Sequence, residues 1–145
     1  MVPTLIGRIQ TRLFLLAVVG GLVTAVLTPF LPMSVPVGER YGITFIVLAT
    51  VAVVGIGWEF LYHLLMQWRW EKDWPTYAAL VTLVPEGLLI WGLLRAGMVP
   101  TIDGPAGPWA FWIHFVVVWL AVWFVAQGPM RVPFIRWRFH GGRLL

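Results

Sequence analysis

Six acidic residues stand in this chain, and two of them, Glu59 and Glu86, fall inside long apolar runs. Glu86 sits in "TLVPEGLLIW", directly after Pro85. His63 follows Glu59 at helical i,i+4 spacing, and His114 lies in a further apolar run. Carboxylates and imidazoles are the side chains that share protons, pass them on or hold cations. A charge at the centre of a bilayer costs at least about 2.5–3.5 kcal/mol on insertion scales, so such residues are functional candidates by default.

Three chemistries fit these four residues. Glu59 and Glu86 could be protonated and hydrogen-bonded across a bundle, since two nearby carboxylates in low dielectric favour a shared proton. They could relay protons or bind cations, with His63 and His114 as exits on either side. Or they could pair with a basic group on another membrane subunit. Pro85 adds to the second reading: a proline inside a helix frees the carbonyl four residues earlier, here Val81, beside the Glu86 carboxylate. A carboxylate-bridged metal pair is a poor match. Its usual signature is Glu-x-x-His on two helices, whereas Glu59 and His63 are four apart and the motif occurs once. No metal, haem or other cofactor is expected.

The elements that must position these groups follow from composition. Of 145 residues, 60% are hydrophobic and 11% charged, against about 25% charged in a typical soluble domain. A soluble chain of this length has too little interior for that much apolar surface. Four stretches, 13–31, 42–67, 77–98 and 109–127, are each long enough to cross a hydrocarbon core of about 30 Å as a helix. Backbone groups in lipid must bond internally, which leaves helices as the spanning form. The first stretch, preceded by Arg8 and Arg12, has the look of a signal sequence. However, "LVTAVLTPFLP" offers no small-x-small cleavage site, so it reads as a retained span.

Charge then orients the chain. With both termini in the cytoplasm, the inner segments hold Arg8, Arg12, Arg69, Lys72, Arg131, Arg136, Arg138 and Arg143, eight of the ten basic residues. Arg40 and Arg95 fall outside, and the positive-inside rule selects this arrangement. Arg95 is nine residues from Glu86, half a turn round a helix, and reads as snorkelling to the outer interface. The loops are short, so the expected fold is all-α: a single integral-membrane domain over residues 1–145, an up-down bundle of four transmembrane helices. A bacterial inner membrane is its expected location.

Tryptophans frame the spans, with Trp68, Trp70 and Trp74 at the inner ends of the second and third helices and Trp109 and Trp112 at the outer end of the fourth. Counted from the inner ends, Glu59 and Glu86 lie at one level, roughly 12 and 14 Å deep, with His63 below and His114 above. Glu59 shares a stripe with Ala52, Gly55 and His63; Glu86 with Ala79, Thr82, Leu93 and Gly97; His114 with Ala110 and Ala121, opposite Trp112, Trp119 and Trp123. Polar groups beside small residues face other helices rather than lipid.

The tail, residues 128–145, is "GPMRVPFIRWRFHGGRLL". Arg131, Arg136, Trp137, Arg138 and Arg143 suit a segment lying on anionic lipid headgroups, or docked to an acidic partner, rather than one binding nucleic acid. No cysteine is present, Ser34 is the sole serine, and no nucleophile–base pair or phosphate-binding glycine loop can be found. The chain is therefore expected to be no enzyme. The leading expectation is a subunit or accessory factor of a larger membrane complex, bound to other subunits or to copies of itself. The alternative is a proton or cation pathway through Glu59 and Glu86, and a weaker one is an intramembrane metal-binding protein.

Overall fold

The computed structural model describes residues 4–68, 76–98, 108–139, 141 and 143–144, and these form helices without a strand among them. Among the described residues four helices are long and apolar enough to cross a membrane, as an integral membrane protein requires. They are α1 (Leu5–Phe30), α2 (Val37–Gln67), α3 (Tyr77–Arg95) and α4 (Pro108–Gln127). A single 3-10 turn at Pro129–Arg131 then leads into the short α5 (Ile135–Phe139).

Two helices start earlier than hydropathy implies. α1 begins at Leu5, not at Leu13, because Thr4 caps it: its Oγ1 accepts the Gly7 N–H at 3.1 Å. α2 begins at Val37 rather than Gly42, just after Pro36, with Glu39 in its first turn, where the helix dipole favours an acid. Its 31 residues amount to about 46 Å, well beyond a hydrocarbon core. Between them, Arg40 gathers the loop by donating to the carbonyls of Pro29, Leu31, Met33 and Val35 at 2.7–3.2 Å.

α1 carries a π-helical turn at Leu16–Gly20. There it lies close to two neighbours at once, for a Cβ on Gly20 would stand 3.2 Å from Leu48 and 3.5 Å from Val118. α3 breaks at Thr82, between helical segments Thr76–Val81 and Leu83–Arg95. Pro85 has no N–H for the Val81 carbonyl and crowds it, which places the break within that turn. The Ala79 carbonyl, inside the disturbed turn, accepts from Trp119 Nε1 at 3.0 Å and Thr82 Oγ1 at 2.9 Å. α3 ends where Gly97, at φ 69°, lets the Met98 N–H reach back to the Leu93 carbonyl at 3.1 Å.

The core joins Leu16 of α1, Val47, Leu48 and Val51 of α2, Ile90 and Leu94 of α3, and Phe111, Phe115 and Val118 of α4. Gly87 lets α3 approach the α4 rings, since a Cβ there would meet Trp112 at 2.7 Å and Phe115 at 2.9 Å. Residues early in α1 meet residues late in α2, as Arg12 meets Glu59, and residues late in α1 meet residues early in α2, as Thr28 meets Thr44. Likewise Thr24 of α1 bonds His114 near the start of α4, while Thr11 bonds Trp137 beyond its end.

Candidate functional site

Glu59 and Glu86 are both buried, at 6% and 2% exposure, and Arg12 bridges them in one cluster. Both are held by arginines of the same chain. Arg8 and Arg12 lie on α1, one turn apart, and point into the bundle. Arg8 Nε donates to Glu59 Oε2 at 2.7 Å, and Arg12 Nε donates to Glu59 Oε1 at 2.6 Å. The other edge of the Arg12 fork meets Glu86, Nη1 to Oε2 at 2.8 Å and Nη2 to Oε1 at 3.1 Å. The Tyr62 hydroxyl completes the set by donating to Glu86 Oε1 at 2.7 Å.

Each helix contributes something specific. α1 supplies both cations, α2 supplies Glu59 and Tyr62, α3 supplies Glu86, and α4 places Trp119 with its ring centroid 5.6 Å from the Arg12 guanidinium carbon. Such a face stabilises a desolvated cation. Gly55 leaves the slot that Arg12 fills: a Cβ there would lie 2.6 Å from Nη1 and 2.8 Å from Cδ. Two arginines face two glutamates, so the cluster is neutral when all four are ionised. Side-chain exposures of 10% and 12% for the arginines against 8% and 2% for the glutamates put these pairs among the buried kind. In that setting geometry and full hydrogen bonding decide whether attraction recovers the cost of desolvation. The planar arginine fork supplies both.

Arg8 and Arg12, counted in the inner segments ahead of the first span, are here part of the helix itself. They lie within α1, paired inside the bundle. The histidines do not join the carboxylates. His63 meets Gln67 at 3.4 Å, and its Nδ1 has no hydrogen-bond partner among the described residues. His114 is buried, with Nε2 2.9 Å from Thr24 Oγ1, and Thr24 lies about 18 Å along α1 from Arg12. Thr24, Thr28, Thr44 and His114 thus form a second buried polar group, separate from the first. No group of three potential metal ligands occurs among the described residues. Pro85 is exposed, so it shapes α3 without entering the cluster.

In the tail, Trp137 is not a headgroup contact. It is 5% exposed, packs with Leu15 and Met130, and its Nε1 donates to Thr11 Oγ1 at 2.7 Å. Arg131, Arg136 and Arg143 are exposed, with Arg131 bonded to Gln127 at 2.6 Å and Arg143 3.4 Å from Thr4 Oγ1. Arg69, Lys72, Trp70, Trp74, Asp103, His140 and the side chain of Arg138 lie outside the described residues. Arg95 is exposed and sits 5.8 Å from the Trp91 ring.

Sequence reasoning missed Arg8, Arg12, Tyr62 and Trp119 as members of the site. A signal for the first two exists in "TLIGRIQTRLFLL": a capping threonine, then two arginines at i,i+4 inside an apolar pattern. Comparison of the chain with models of protein families, with curated proteins and with solved structures found no match.

Proposed function

We propose that this protein is a non-enzymatic subunit or assembly factor of a larger membrane complex, threading a bacterial inner membrane up and down four times with both termini in the cytoplasm. The observation that carries the reading is the internal closure of the charge cluster. Glu59 and Glu86 are bound by Arg8 and Arg12 of the same chain, so the chemically able groups hold the bundle together. The helix surfaces and short loops are then what a partner meets. The head-to-tail pairing of α1 with α2 supports the up-down path, and the bond from the Thr4 N–H to the Gly141 carbonyl, 2.8 Å, supports both ends lying on one side.

The same bonds weigh against a proton or cation pathway, in which the carboxylates would have to exchange their ligands. They weigh equally against an intramembrane metal site.

Blue-native separation of membrane complexes, from cells with and without this chain, tests the proposal. A complex that shrinks or vanishes without it, and that contains it when present, is the expected result. The proposal fails if the chain runs alone in native lipid discs and every complex is unchanged by its loss. Proteoliposomes with an internal pH dye address the alternative, for which flux sensitive to Glu86→Gln would be required.

A further inference from the structure

The tail has an unusual division of faces. Trp137 is fixed inside by its bond to Thr11 and its contacts with Leu15 and Met130, and this sets the rotation of α5. Turned outward are Val132 at 77% exposure, Phe134 at 38% and Ile135 at 61%. Arg131, Arg136 and Arg143 are exposed beside them. The whole segment 128–145 contains four arginines and no Asp or Glu. An outer face both apolar and purely cationic is ill suited to water, and also to the middle of a bilayer. It matches the boundary where acyl chains meet anionic headgroups.

We propose that the outward face formed by residues 131–136 and Arg143 is a binding surface for anionic phospholipid, with Arg131, Arg136 and Arg143 taking the phosphate groups while Val132, Phe134 and Ile135 rest among the upper acyl carbons. Trp137 is the pin that holds this face outward, and Arg136, its direct neighbour in sequence, is the central contact. The surface is independent of whether the chain assembles with a partner protein.

The chain has no cysteine, so Ile135→Cys gives a unique attachment point for a fluorophore. The labelled protein is placed in lipid discs of phosphatidylcholine and phosphatidylglycerol, with one or the other lipid brominated as quencher. Stronger quenching by brominated phosphatidylglycerol at equal mole fraction is expected. The preference should fall roughly fivefold with each of Arg131→Gln, Arg136→Gln and Arg143→Gln, and shrink as salt is raised. Intact folding of each variant is checked by its elution and its far-ultraviolet dichroism. Equal quenching by both lipids would overturn the proposal, as would a preference that the triple variant keeps. Absence of quenching by either lipid, which would put Ile135 out of reach of the bilayer, overturns it as well.

Discussion

Arg12→Met removes the guanidinium that ties α1 to both α2 and α3. Arg8 and Arg12 balance Glu59 and Glu86, so the variant leaves one uncompensated negative charge in a site where Glu86 is 2% exposed. Truncating one member of a buried ion pair costs about 3–5 kcal/mol. The insertion cost of a lone charge sets a floor of about 2.5–3.5 kcal/mol. Glu86→Gln strands a positive charge instead, although Arg12 keeps Glu59, and about 3 kcal/mol is expected. In the double variant the remaining Arg8–Glu59 pair is neutral. Its loss is then chiefly of hydrogen bonds at about 0.5–1.5 kcal/mol each, or about 2–3 kcal/mol in all. The single costs sum to about 6–8 kcal/mol, so a coupling of at least about 3 kcal/mol is expected between the two sites. Reversible unfolding in mixed micelles, followed by tryptophan fluorescence, measures all four corners of the cycle. Costs that add to within about 0.5 kcal/mol would refute the charge-balance argument.

Gly55→Ala should push Arg12 out of its slot and cost about 1–3 kcal/mol, whereas Gly57→Ala, where a Cβ meets nothing within 4 Å, should be near neutral; equal effects in the same unfolding assay would contradict the slot. Thr24→Val leaves His114 Nε2 without its partner and should destabilise by about 1–3 kcal/mol. His114→Phe in the Thr24→Val background should recover part of that loss, and no recovery would mean that the threonine acts otherwise. Trp137→Phe removes the bond to Thr11 and should raise hydrogen exchange in the first turns of α1, read by mass spectrometry; unchanged exchange there would deny the tail its hold on α1.

Much of the architecture was legible. Four apolar runs gave four helices among the described residues, and Glu59 and Glu86, both read as facing inward, are buried and bridged by Arg12. Their inward facing followed from Gly55 on the same stripe, and Gly55 is indeed where the bundle admits Arg12. The partners were hidden by the rule used to orient the chain. Counting Arg8 and Arg12 in the inner segments treats a hydropathy edge at Leu13 as the end of the helix, yet the Thr4 cap carries the helix two turns further. Trp119 was assigned to the face opposite His114; no sequence spacing says that this ring meets a guanidinium from α1. Trp137 was misread because its neighbours are basic and exposed, while its own burial depends on α1, far off in sequence.

Why a charge cluster at all, when apolar residues of similar volume often hold a core equally well or better? In lipid the tails are as apolar as leucine, so burying leucine does little to choose between helix pairings. The leucine- and valine-rich surfaces of α1, α2 and α3 could slide past one another with small loss. An arginine whose fork meets carboxylates on two other helices cannot. Moving α1 by one residue relative to α2 and α3 carries Arg12 about 1.5 Å along the axis and about 100° around it, enough to break all three of its bonds at once. Lysine could not replace it, because one ammonium offers no planar pair of edges for two carboxylates. The contribution of the cluster is therefore register more than raw stability. The double variant should accordingly stay folded while losing the uniqueness of its α1 placement.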